Sequence, residues 1–250
     1  MKEKILVQVF LLLLFITGCS EQNMVSGEVE EVTASLSFDF KETEYEYSDE
    51  NCNISLRYPQ MAGSNDAEKE MRINRLIEED IKKVSEWITP DEYGRKFDVG
   101  VIWYEIKYAD EKLISIVYSG WAGRLQPGSG LPTTMMATTV DCEKETVLEL
   151  QDAVSDFDGL CRLLLEDRFE NITAWDGEPG QYKISESYWL GGADALLSDL
   201  KGSDYDLEWY IEKNYFLIVD LNDKYYNEYL IEVKQLRDIL QEEFLEKLGK

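Results

Sequence analysis

No histidine occurs among the 250 residues. That absence excludes a Ser-His-Asp triad, a Cys-His dyad, His-ligated zinc and a His proton shuttle. Basic residues are scarce: 25 Lys and Arg stand against 51 Asp and Glu, for a formal charge of −26. Such a chain is repelled by phosphates, which argues against nucleic acid as a partner and against polybasic attachment to anionic lipid. A cationic partner or counter-ion is attracted instead. What is present is enough for a folded molecule. With 44 % apolar and 12 % aromatic residues, the chain can bury a sizeable core despite its charge. Its length fits one large domain or two small ones.

The first residues read as an address. Lys2 and Lys4 precede Ile5–Ile16, a run of 12 residues interrupted only by Gln8. That is too short for a bilayer core of about 30 Å and fits the apolar region of a secretory signal. The run ends in Ile16-Thr17-Gly18-Cys19, which resembles the lipobox of bacterial lipoproteins. The resemblance implies that the Cys19 thiol takes a diacylglyceryl group and that cleavage falls just before it. It places the protein on the cell membrane, facing outside the cytoplasm, with the bilayer as a partner through the acylated cysteine. Loss of residues 1–18 removes Lys2, Lys4 and Glu3, which leaves 23 basic and 50 acidic residues and a charge of −27. Of four cysteines, Cys52, Cys142 and Cys161 then remain. Three is odd, so at most one intramolecular disulfide forms. Small buried hydrophobes is the simplest reading of each.

Residues 19–44 read as the lipidated cysteine and an acidic tether, with a short strand near Val32–Phe40. Residues 45–124 and 125–250 read as two sub-modules of one compact α+β unit, mainly antiparallel sheet packed by three to four helices. Alternation in Glu42–Tyr47 and Asn53–Tyr58 predicts two strands joined at Ser48–Asn51, with Pro59 closing the second. Asp66 predicts a helix N-cap, and Ile73, Leu76, Ile77, Ile81, Val84 and Ile88 give the helix an apolar stripe that Pro90 ends. Val99–Tyr108 and Leu113–Ser119 predict a hairpin, followed by a Gly- and Pro-rich loop over Trp121–Pro132 and a strand over Thr133–Cys142. Helices are expected over Phe157–Phe169, Ala193–Leu200 and Lys234–Leu248. Strands are expected over Val147–Leu148, Leu207–Ile211, Tyr215–Leu221 and Tyr229–Val233.

Several stretches together resemble a known group. They are Ser55–Gly63 leading into Ile73-Asn74-Arg75-Leu76-Ile77, then Ile116–Gly120, Thr139–Asp152, Tyr215–Asp220 and Tyr229–Val233. Their order is similar to paired extracytoplasmic modules of unknown function in Gram-positive bacteria. Those modules form the outer half of a lysozyme-binding transmembrane anti-sigma factor and precede the catalytic domain of a peptidoglycan deacetylase. The chain departs from them at Gly120–Arg124, where a His-Pro or similar polar pair is common. It also has no sigma-binding segment, no transmembrane helix and no deacetylase domain. The resemblance implies an outer module alone, with a lysozyme-like cationic protein or peptidoglycan as partner.

The candidate ligand-binding residues are aromatic. Trp121, Arg124, Leu125 and Gln126 sit in the Gly- and Pro-rich loop, and aromatics with Arg are the usual interface anchors. Trp189 and Trp209 belong to a second group with Tyr182, Tyr188, Tyr205 and Tyr210, for which strand core is the competing reading. Carboxylate pairs at Asp156/Asp158, Asp204/Asp206 and Asp220/Asp223 are expected by chance in so acidic a chain. Asp156-Phe157-Asp158-Gly159 has the start of a calcium loop without its closing ligands, and helix capping is the better reading. Gly128-Ser129-Gly130 has no partner histidine. No catalytic residue, metal site or cofactor is expected. The leading expectation is a non-catalytic binding module for an envelope ligand. The alternatives are a wall-active hydrolase working with carboxylates alone, or a structural envelope lipoprotein with no specific ligand.

Overall fold

A computed structural model describes residues 36–49, 52–83, 99–123, 133–173, 182–188, 190–202, 207–221 and 226–250. Among these the fold is α+β: a six-stranded sheet, a four-stranded sheet and six α-helices. The first sheet runs β1 (Asp39–Asp49), β2 (Cys52–Ala62), β3 (Val99–Ala109), β4 (Leu113–Gly123), β5 (Thr133–Asp141) and β6 (Thr146–Val147), in that spatial order. Every pairing is antiparallel except β2 with β3.

The helix α1 (Ala67–Lys82) begins as its sequence dictates. Asp66 Oδ1 accepts from the amides of Glu68 (3.1 Å) and Lys69 (2.9 Å). The stripe Ile73, Ile77 and Ile81 is fully buried against Leu56, Tyr58, Ile102, Ile114, Ile116, Tyr118, Met136 and Val140 of the sheet. Asn74 clasps the end of β2, accepting from Met61 N at 2.6 Å and donating to Met61 O at 3.0 Å. Near the other end, Asp80 is buried and accepts from Thr138 Oγ1 at 2.5 Å. Val84, Ile88 and Pro90 lie outside the described residues.

Pro59 does not close β2, which continues to Ala62. The parallel pairing with β3 ends at Leu56, so beyond it β2 has one paired neighbour, the edge-like setting in which strands tolerate proline. Nor does a loop begin at Trp121: the backbone of Trp121–Gly123 continues β4, with Trp121 opposite Val101 and Thr133. Gly120 lies at a close approach of β3 and β4, where a Cβ would stand 2.1 Å from Val101 O.

The second sheet has the order β7 (Glu170–Asn171), β10 (Asn227–Glu232), β9 (Tyr215–Asp220), β8 (Leu207–Glu212), all antiparallel. Its helix-facing side carries Trp209, Ile211, Phe216, Ile218, Tyr229 and Ile231. These pack with α2 (Leu150–Ala153), α3 (Phe157–Leu165), α4 (Ile184–Ser187), α5 (Gly192–Lys201) and α6 (Glu242–Lys247). Its other side, with Tyr210, Leu217 and Val219, packs on Val117 and Met135 of the first sheet. Side chains close the open edges at this junction. Ser115 Oγ accepts from Ile211 N of β8 at 3.1 Å, and Glu208 Oε2 accepts from Ala137 N of β5 at 3.3 Å.

The continuous C-terminal helix expected over Lys234–Leu248 is not formed. A 3-10 turn occupies Val233–Gln235, Leu240 bridges to Val154, and only Glu242–Lys247 is α-helical. The reason is tertiary. Ile239 O accepts from Ser155 N (2.8 Å), Asp156 N (3.1 Å) and Ser155 Oγ (2.7 Å), and Gln241 N donates to Ala153 O at 2.8 Å. These bonds draw the chain out of the helix that Leu236, Ile239 and Leu240 suggest by spacing, yet all three stay buried.

Candidate functional site

Alternation along β3 sends Ile102 and Tyr104 toward α1 and Val101, Trp103 and Glu105 to the opposite face. On that face the second sheet packs on Val117 and Met135 and meets β3 at Lys107. Trp103, two residues before Glu105 on this face, is 44 % exposed, unlike most large apolar groups of the described residues. Trp103 lies opposite Ser119 of β4, and the β1–β2 register brings charged residues together on the adjoining strands. Glu44 lies opposite Arg57, Glu46 opposite Ser55 and Ser55 opposite Val101. Glu44 accepts from Ser55 Oγ at 2.9 Å and stands 3.8 Å from Arg57 Nε. Glu42, Glu44, Glu46 and Glu105 are all exposed.

At Lys107 this face turns into a corner with the second sheet. A β-bulge between Ile106 and Tyr108 leaves Lys107 without a register partner. Bulges re-aim side chains in this way. Lys107 Nζ lies 2.8 Å from Glu105 Oε2 and 3.7 Å from Glu212 Oε2 of β8, and 6.0 Å from the Tyr210 ring. Tyr210 Oη donates to Glu228 Oε1 of β10 at 2.5 Å. Burial works against the Lys107 ammonium, but the hydrogen bond to Glu105 and the charges of Glu212, Glu105 and Glu228 outweigh it and raise its pKa. Burial lifts the Glu228 carboxyl above its ordinary range, against the Tyr210 hydrogen bond and the Lys107 charge. Tyr226, beside the same carboxylate, is also raised, chiefly by burial. The corner thus holds three carboxyl groups and one half-buried ammonium, and the exposed Trp103 lies two residues before Glu105 on the same strand. That arrangement attracts cations and offers them an aromatic face.

The residues proposed from sequence fall elsewhere. Trp209 is an interior side chain, stacked on Phe216 (centroids 5.5 Å apart, planes at 16°) and edge-on to Phe244 at 5.9 Å. Its face is taken by core, which corrects the expectation of a ligand platform. Tyr188 is buried and donates to Asp199 Oδ2 at 2.7 Å, while Tyr182 is exposed. Trp121 contributes strand backbone to β4. Cys19, Arg124, Leu125, Gln126, Trp189, Tyr205, Asp204, Asp206 and Asp223 lie outside the described residues. Asp156 caps α3 by accepting from Gly159 N at 2.9 Å. Sequence reading passed over Trp103, Glu105 and Lys107. Their alternation on a correctly placed strand was a usable signal, but their partners Tyr210, Glu212 and Glu228 are about a hundred residues away.

No family model matches the chain, and no curated protein matches it. Two solved structures are similar to it. One is a DUF3298 family member from Bacteroides fragilis, 13 % identical, covering 86 % of this chain and 98 % of that one, with a TM-score of 0.49. The other is a DUF3298 family protein from Pseudomonas aeruginosa, 10 % identical, covering 84 % of this chain and 96 % of that one, with a TM-score of 0.48.

Proposed function

We propose that the protein is a lipid-anchored, extracytoplasmic binding module without catalytic function, whose ligand is a basic protein of the cell envelope. One observation carries the reading: half-exposed Trp103 and exposed Glu105 stand two positions apart on one face of β3. Net charge supplies long-range attraction to a basic partner and raises the rate of encounter. Affinity at physiological salt needs a desolvated anchor as well, and an exposed Trp is the residue type that most often serves. The lipobox-like Ile16–Cys19 supports the location. The resemblance to lysozyme-binding modules supports a lysozyme-type protein as a basic partner, and the net charge favours it over peptidoglycan.

The test is titration of the full-length chain, in non-ionic detergent, with lysozyme at low and physiological salt. The reading expects binding at both, weaker at the higher salt. No binding at either salt would overturn it.

A further inference from the structure

We infer that the corner between the two sheets seats one cationic side chain of the partner, with the group lying on Trp103 and facing Glu105 and Glu212, and that Lys107 is a built-in counter-ion limiting how tightly it is held. The inference rests on the basic-protein reading above and assigns that reading its anchor point.

The geometry supports each part. Trp103 and Glu105 are two positions apart on one strand face, about 7 Å along the chain, the span of one guanidinium or ammonium and its stem. The Glu105 side chain is 63 % exposed and Glu212 37 % exposed, so both carboxylates are reachable from solvent. Trp is the best cation–π partner, and this ring is half-exposed to solvent. Lys107 approaches the same carboxylates from the protein side, placed by the bulge. Its side chain is only 21 % exposed, so its charge acts on the corner from the protein side. Two solvent-facing carboxylates with the partly buried Glu228 against one ammonium leave the corner negative. The occupant is a basic protein and not an acidic or neutral one because Glu44 and Glu46 on the adjoining β1 are exposed as well and the whole chain is strongly acidic.

The arrangement has an unusual consequence. Removing Lys107 should tighten binding, whereas removing most interface cations changes it little or loosens it. The experiment measures affinity by calorimetry for lysozyme and for a tetra-arginine amide, on the full-length protein in non-ionic detergent. The variants are wild type, Trp103→Ala, Glu105→Gln, Lys107→Gln and Lys201→Gln. Lys201 lies on α5, on the helical side of the second sheet, and its loss changes net charge equally. Thermal denaturation of each variant shows that it is folded.

The inference expects Trp103→Ala to weaken both probes about ten-fold or more. It expects Glu105→Gln to weaken them and Lys107→Gln to tighten them, by about three- to ten-fold each, with Lys201→Gln within about two-fold of wild type. Equal effects of Lys107→Gln and Lys201→Gln would show a general charge effect and overturn it. Binding of lysozyme that ignores Trp103 and Glu105 would overturn the anchor while leaving the basic-protein reading intact. Binding of the peptide but not lysozyme, with the expected Trp103 and Lys107 dependence, would sustain the corner and reject the protein partner. Binding of neither probe would reject both. Should Lys107→Gln unfold, Lys107→Met provides the same charge change with the apolar stem kept.

Discussion

Lys247, near the C-terminus, is ion-paired at 3.1 Å with Asp141 Oδ2 at the end of β5, and Asp141 is wholly buried. A second carboxylate, Glu143 Oε2, lies 2.7 Å from the same ammonium. The pair fastens α6 to the first sheet across 106 residues of sequence.

Breaking that pair should be costly, because it strands a buried charge. Lys247→Met leaves Asp141 without its cation, and a loss of about 3 kcal/mol in unfolding free energy is expected, read from urea denaturation. The double variant Lys247→Met/Asp141→Asn should recover part of it. Equal stability of Lys247→Met and wild type would show that the pair holds nothing.

Glu208 gives a pH dependence. Burial pushes its carboxyl up to about 8, against its hydrogen bond from Ala137 N and with Asp80 and Glu149 adding to the rise. The folded pKa is raised above the ordinary 4.5, so this group's contribution is fully present below about 4.5. It is lost as the pH rises through about 8. Relative to Glu208→Gln, the wild type should therefore lose Tm progressively across that interval. A constant difference between the two would contradict the assignment.

The buried thiols should be inert. Cys142 and Cys161 are free and buried, and burial pushes the Cys142 thiol up to about 12 and raises Cys161 as well. A thiolate is the reactive form. Mass spectrometry after alkylation at pH 8 should find both unlabelled in the native protein and both labelled in denaturant. Labelling of Cys142 before unfolding would contradict its placement in the core.

Lipidation predicts a partition. The wild-type chain, expressed in a Gram-positive host, should sediment with membranes and enter the detergent phase. Cys19→Ala should release it or leave the signal uncleaved. Equal membrane retention of a cleaved Cys19→Ala protein would reject the anchor.

Much of the fold was legible because its signals are local. Asp66 with Ile73, Ile77 and Ile81 marks a capped amphipathic helix, and the alternation of Glu42–Tyr47 and Asn53–Tyr58 marks a hairpin. The C-terminal segment was misread because Ser155 and Ala153 capture its backbone from far away in sequence. Burial of Trp209 was equally hidden, since an aromatic in a strand carries the same pattern whether its face meets Phe216 or solvent. The corner at Lys107 depends on a bulge and on two strands a hundred residues later, neither of which leaves a trace in the residues around it.

The most direct measurement is the affinity of lysozyme for the wild type and for Trp103→Ala at physiological salt, where long-range attraction is screened and the anchor must act. A binding face centred on Trp103 predicts measurable wild-type affinity that falls about ten-fold or more in the variant. Identical affinities in the two proteins, or no wild-type binding, would contradict it.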